Sequence, residues 1–180
     1  ANAALRNESV KAMFCDEVGL GKTLEALNVI EHFLIARQNT NLALSVPASL
    51  LVQWAKAINQ FLQRDCFIHR REMFEKWSNG HLIGNVRSID YHPDGSIESS
   101  IRLFSSQWIR IQTNSVNDQV FSEVDLLVVD EAHNARCYNF EERSGSKFWH
   151  KLRYQSSRID NILLLTATPF QTSKNDYLGL

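Results

Sequence analysis

The sequence predicts an α/β fold, a doubly wound and mainly parallel sheet with helices on both faces. Two runs, "DLLVVD" and "NILLLTA", are near-continuous aliphatics, the pattern that parallel strands covered on both faces require. Strand-like segments alternate along the chain with segments whose apolar residues recur at helical spacing. Between the first of each lies "DEVGLGKTLEA", beginning at Asp16, with two glycines, a lysine and a threonine.

The elements follow in order. "KAMFC" reads as a buried strand, and from Lys22 the residues Leu24, Leu27, Ile30, Phe33 and Leu34 mark one face of a helix. "LALSV" is a second strand, ended by Pro47. "ASLLVQWAKAINQFL" then puts Leu50, Leu51, Trp54, Ile58, Phe61 and Leu62 on one face of a second helix. Trp54 reads as core packing rather than as a platform for base stacking. "CFIH" is a third strand. In "VRSIDYHPDGSIESSIRL" two extended runs flank Pro93-Asp94-Gly95, where Pro presets the first turn position and Gly accepts positive φ. The expectation is a β-hairpin, residues 86–103, inserted into the core. Repeats and low-complexity tracts are absent, so residues 1–180 are expected to form one domain.

The chain has 180 residues, 44% of them hydrophobic, with seven Gly and three Pro, which is globular rather than disordered. Nineteen Lys plus Arg balance twenty Asp plus Glu, so any nucleic-acid surface has to be a local patch. Cys15, Cys66 and Cys137 are odd in number and lack C-x-x-C spacing, which fits a reducing compartment and gives neither a disulfide framework nor a zinc site. No run reaches the ~18 apolar residues of a membrane span. The opening "ANAALRNESV" has no signal-peptide pattern and reads as the interior of a larger protein. The six histidines have no metal-ligand spacing, and "GS" at Gly145 is not a nucleophile elbow.

In a strand, glycine loop, helix unit the main-chain N–H groups of the loop and of the helix N-terminus converge on bound phosphates. Gly19, Leu20, Gly21, Lys22 and Thr23 are the candidate ATP-binding residues. Lys22 reaches the β- and γ-phosphates, and the Thr23 hydroxyl suits Mg²⁺, a hard cation that prefers oxygen. The pattern G-x-x-x-x-G-K-[ST] asks for Gly at position 16, where this chain has Asp16. A turn that merely needs glycines is the competing reading. A second feature weighs against it: "LLVVDEAHNA" ends four aliphatics with adjacent carboxylates. Asp130, at the strand tip, is placed for Mg²⁺ and its waters, and Glu131 for orienting and deprotonating an attacking water.

Four stretches, "DEVGLGKT", "SVPASLLVQW", "VVDEAHNAR" and "LLLTATPFQ", together resemble motifs I, Ia, II and III of superfamily 2 helicase-like ATPases. The first and last are most similar to the Swi/Snf-related branch, in which Asp opens motif I. The resemblance implies an N-terminal RecA-like lobe that hydrolyses ATP with Mg²⁺. It implies that the helix begun by Pro47, Ala48 and Ser49 contacts a nucleic-acid phosphate, and that His133, Thr166 and Thr168 couple nucleotide state to strand grip. Thr172 stands where the family often has Asn. A second RecA-like lobe of the same polypeptide, with its arginine finger, is implied as partner, so the isolated chain is expected to be nearly inactive. The implied track is double-stranded DNA, with no membrane, in the bacterial cytoplasm (nucleoid) or the eukaryotic nucleus.

Two weaker signals complete the reading. "SGSKFWHKLRYQSSR" carries Lys147, Lys151, Arg153 and Arg158 without an acid, and Lys147, Lys151, Tyr154 and Arg158 share a helical face. That stripe could track a phosphate backbone, although amphipathic helices carry charge by default. Thr113, after "WIRIQ", is a candidate for the family's next backbone contact, a Ser or Thr at a strand end. Alternative functions are a helicase lobe of a restriction or defence system on single-stranded DNA or RNA, and a nucleotide-binding switch or scaffold without turnover.

Overall fold

The computed structural model describes residues 9–15, 21–37, 40–87, 100–121, 123–139 and 142–167, with only the backbone of Gln119. Their strands form an eight-stranded sheet. In chain order the elements are β1 (Lys11–Cys15), α1 (Lys22–Ala36), β2 (Asn41–Val46), α2 (Leu51–Leu62), β3 (Cys66–Arg70), β4 (Met73–Ser78), β5 (His81–Val86), β6 (Ser100–Ser105), α3 (Ser106–Ile111), α4 (Asn114–Phe121), β7 (Leu126–Val129), β8 (Cys137–Asn139), β9 (Ser144–Gly145), α5 (Lys147–Ser156) and β10 (Asn161–Thr166). The sheet order is β1-β10-β7-β2-β6-β3-β4-β5, and a separate small ribbon pairs β8 with β9.

In the eight-stranded sheet all pairings from β1 through β3 are parallel and those of the β3-β4-β5 meander antiparallel. The aliphatic runs are explained by layers on both faces. Leu126, Val128, Leu163 and Leu165 point with Leu42 and Leu44 toward α1 and α2, whose Ala26, Leu27, Ile30, Leu51, Trp54 and Ile58 cover them. Leu127, Val129, Ile162 and Leu164 point the other way, onto Ile109 of α3, Phe121 of α4 and Phe148, Trp149 and Leu152 of α5. A polar residue at either parity would face a packed helix, and each buried aliphatic side chain contributes about 1.5–3 kcal/mol.

Several expectations are corrected. β1 is an edge strand and alternates in exposure, so it is not buried throughout. Leu24 and Phe61 are exposed, and Ala26, Ala55 and Asn59 are the buried helix positions that apolar spacing missed. The 86–103 stretch divides. Its Pro93-Asp94-Gly95 turn lies outside the described residues, Val86 ends β5, and Ser100–Leu103 belong to β6 deep in the parallel sheet, with β3 and β4 between the two. Those ends therefore do not pair with each other. The antiparallel addition that is described is instead the 66–86 meander, which begins where "CFIH" becomes β3.

Among the described residues Cys15, Cys66 and Cys137 are not joined in disulfides. Burial pushes the Cys66 thiol up to about 12, with the Asp65 charge adding to the effect, so it is no nucleophile near neutral pH. Among the described residues no helix is long and apolar enough to cross a membrane.

Candidate nucleotide and nucleic-acid site

The sheet order brings three of the four sequence motifs to one edge. Cys15, the last residue before the glycine loop, is in parallel register with Thr166 of β10, and Leu164 of β10 with Val129 of β7. With strands about 4.8 Å apart, the exits of β1, β10 and β7 lie within roughly 10 Å of one another. These are carboxyl ends, where open α/β sheets bind ligands.

At the first exit, Gly19 and Leu20 lie outside the described residues, and the chain resumes at Gly21. Gly21 N-caps α1 with φ of 97°, and a Cβ there would meet nothing within 4 Å. Its left-handed backbone by itself calls for glycine. Lys22 and Thr23 follow in the first turn of a 15-residue helix whose cap offers no side-chain acceptor. That end of α1 carries partial positive charge from the helix dipole.

At the β7 exit, Asp130 is 8% exposed. Its main-chain N–H donates to the Ser45 carbonyl at 2.8 Å, Oδ1 accepts the Glu131 N–H at 2.9 Å, and Oδ2 accepts the Trp54 indole N–H at 2.9 Å. Glu131 sits at φ 52°, ψ 46°, a conformation costly for a residue with a Cβ. Besides that bond, two donors from Asn134, its main-chain N–H and Nδ2, hold the Glu131 carbonyl at 3.0 Å. The kink turns the Glu131 side chain toward His133, whose Nδ1 is 3.1 Å from Oε2 and 3.3 Å from the Thr166 hydroxyl. A carboxylate only accepts, so the proton belongs on Nδ1, and the ring clamps Glu131 while touching β10. Thr168 lies outside the described residues.

Among the described residues no three His, Cys, Asp or Glu side chains cluster as a metal cage. The donors at hand, the Asp130 carboxylate and the Thr23 hydroxyl, are oxygens. That set fits Mg²⁺ completed by phosphates and water.

The second motif lies beside the third. Pro47 leaves β2, and Ala48–Leu50 form one tight turn that runs into α2. Ser105, at the end of β6, caps α3 by accepting the Trp108 N–H at 3.1 Å. Gln107 Oε1 accepts the Ala48 N–H at 3.2 Å, and the Ser106 hydroxyl donates to the Val46 carbonyl at 3.3 Å. Pro47, Ser106, Gln107, Arg110, Asn134 and Phe148 line a small cleft. Arg110 also borders a larger one of about 710 Å³, with Gln112, Tyr138, Ser146, Lys147, His150 and Lys151. The two clefts share Arg110, and the larger adds the cations Lys147 and Lys151.

Two sequence candidates fall elsewhere. "WIRI" is helical rather than extended, and Thr113 caps α4, its Oγ1 accepting the Val116 N–H at 3.3 Å; it is not at a strand end. Ser105 ends β6 and Ser106 opens α3, and the missed signal was this serine pair after the strand "SIRLF". α5 ends at Ser156, so Arg158 lies past it, pairs with Asp118 at 3.3 Å and hydrogen-bonds the Tyr154 hydroxyl. Lys147 and Lys151 line the larger cleft, with Lys151 also bonded to Asn114.

A profile of the SNF2-related domain matches residues 2–180. The chain belongs to the SNF2-related domain family. It is 28% identical over 169 residues to the RNA polymerase-associated protein RapA of Actinobacillus pleuropneumoniae, covering 94% of this chain and 17% of that protein. With the RapA of Cronobacter sakazakii it shares 29% over 180 residues, again 17% of the relative. This SNF2-related chain thus spans about a sixth of the curated relatives it matches. The fold superposes on the Sulfolobus solfataricus SWI2/SNF2 ATPase core in complex with dsDNA at a TM-score of 0.62 and 19% identity, covering 99% of this chain and 32% of that one. It superposes on the Type ISP restriction-modification enzyme LlaGI, bound to a DNA substrate mimic, at 0.59 and 18%, covering 97% and 17%. The RecA-like α/β core is the shared feature.

Proposed function

We propose that this chain is the ATP-binding motor lobe of a DNA-dependent translocase, which hydrolyses ATP together with a second RecA-like lobe. The supporting observation is the convergence of the β1, β7 and β10 exits beside a cationic track that starts at the Pro47 turn. Gly19 to Thr23 cradle the phosphates through main-chain N–H groups, and Lys22 neutralises the β/γ charge. Thr23 and Asp130 would hold Mg²⁺, which supplies charge neutralisation on the phosphate oxygens. Glu131, oriented by His133, accepts the proton of the attacking water. Thr166 senses that arrangement from β10, and Thr168 is assigned the same coupling role by the family resemblance.

DNA runs along Pro47, Ala48, Ser49, Ser106 and Arg110 toward Lys147 and Lys151. A cleft of about 710 Å³ is roomy enough for sugar-phosphate units rather than a single ion. Duplex DNA is favoured as the track by the dsDNA bound to the SWI2/SNF2 ATPase core that this fold matches.

The test is steady-state ATP hydrolysis by the full-length protein with duplex DNA, single-stranded DNA or RNA. Duplex should stimulate most; stronger stimulation by single strands or RNA would transfer the lobe to an unwinding enzyme. Glu131→Gln should keep ATP binding and lower turnover by about 10²-fold or more. Lys22→Ala should weaken ATP binding itself. Wild-type turnover in the first variant overturns the assignment of Glu131 as the base, and no hydrolysis with any of the three nucleic acids overturns the motor reading in favour of a nucleotide switch.

A further inference from the structure

Asp130 is held at both ends by one structural unit. Its main-chain N–H bonds to Ser45 of β2, and its Oδ2 to Trp54 of the helix that follows β2. Trp54 is 1% exposed and packed in the core between α2 and the sheet, a position that apolar spacing alone explains. Packing does not explain where the indole N–H points. That group is donor-only, and burying it unpaired costs about 1–3 kcal/mol. Its acceptor is a carboxylate, the strongest kind a protein offers, on the residue at the tip of β7.

The geometry points to Trp54 as a positioning residue for Asp130. The inference rests on the reading of Asp130 as the metal-holding carboxylate. With Oδ1 engaged by the Glu131 N–H and Oδ2 by the indole, the carboxylate plane is fixed. About two of its four lone-pair sites remain for metal-bound water. Without the indole donor the side chain regains rotation about χ1 and χ2, and the oxygens no longer stand ready for the cation. Outer partners of this kind are worth about 10- to 100-fold in metal affinity. No motif assigns the residue such a role, because an apolar helix position gives no hint of what its one polar atom meets.

The experiment uses the full-length protein and Mn²⁺ as the metal probe, its binding followed by electron paramagnetic resonance with ADP present. Metal-free ADP affinity is measured separately in EDTA. Trp54 is replaced in two ways: Trp54→Phe, and the benzothienyl isostere of tryptophan, which keeps the bicyclic shape and lacks only the N–H. The expected result is Mn²⁺ affinity weakened about tenfold in both, with metal-free ADP affinity unchanged. Should Trp54→Phe fail to fold, the isostere decides. Wild-type Mn²⁺ affinity in the isostere overturns the proposal, as does an equal loss of metal-free ADP binding, which marks a merely structural role. Asp130→Asn is the control that separates the two readings. If it leaves Mn²⁺ affinity unchanged, the metal role of Asp130 falls and Trp54's with it; if it abolishes binding while the isostere does not weaken it, only the Trp54 proposal falls.

Discussion

His133 Nδ1 lies 3.3 Å from the hydroxyl of Thr166, joining the second residue after the acidic pair to the strand in which motif III begins. The same nitrogen holds Glu131, so movement of β10 reaches the proposed base through one imidazole. Thr166 is fully buried, which makes Thr166→Val a nearly isosteric change that removes the hydroxyl. In the full-length protein the duplex-stimulated ATPase rate should fall about 2- to 10-fold, the worth of one hydrogen bond. An unchanged stimulation ratio would count against coupling through this pair.

The cationic track yields a salt-dependence prediction. Replacing Arg110, Lys147 and Lys151 by Gln should weaken duplex binding and flatten the slope of log K against log salt by up to ~0.9 for each phosphate no longer neutralised. Arg158→Gln should leave that slope unaltered, because its guanidinium is engaged by Asp118 away from the cleft. Equal effects of the two changes would restore the stripe suggested by helical spacing.

Gly145 offers a packing test. A Cβ added there would stand 2.6 Å from Trp149 Cε3 and 2.8 Å from the Arg136 carbonyl, one a buried ring and the other main chain. Neither yields cheaply, and Gly145→Ala should destabilise the fold by about 1–3 kcal/mol, read as a lower urea midpoint at unchanged m-value.

His69 gives the fold a pH dependence. Its ring lies 4.4 Å from that of Trp108, 5.2 Å from Phe74 and 5.4 Å from Phe104, and burial among them holds its pKa below the usual histidine value. The unfolded chain therefore binds the proton more readily than the native one. This contribution to stability is complete above about pH 6.5, and it is lost as pH falls from there through the lowered native pKa. Denaturation midpoints at pH 7.5 and 5.5 should show the loss, and His69→Phe should reduce it.

Sequence alone determined the parallel core and pointed to the candidate nucleotide site, because both are written in local chemistry. Aliphatic runs buried on two faces tolerate no polar residue, so "LLVV" and "ILLL" declare themselves. The left-handed turn at Gly21 and the carboxylates at a strand tip are likewise short-range demands of backbone and cation. Tertiary structure decided what depends on neighbours distant in sequence. Asp118 removes Arg158 from the basic stripe across 40 residues, and no helical wheel contains that acid. The resemblance made Thr113 a candidate strand end, whereas "WIRI" is a helix that Ser105 caps. Trp54 read as core and is core, but the carboxylate its N–H finds is 76 residues away, beyond the reach of any pattern of spacing.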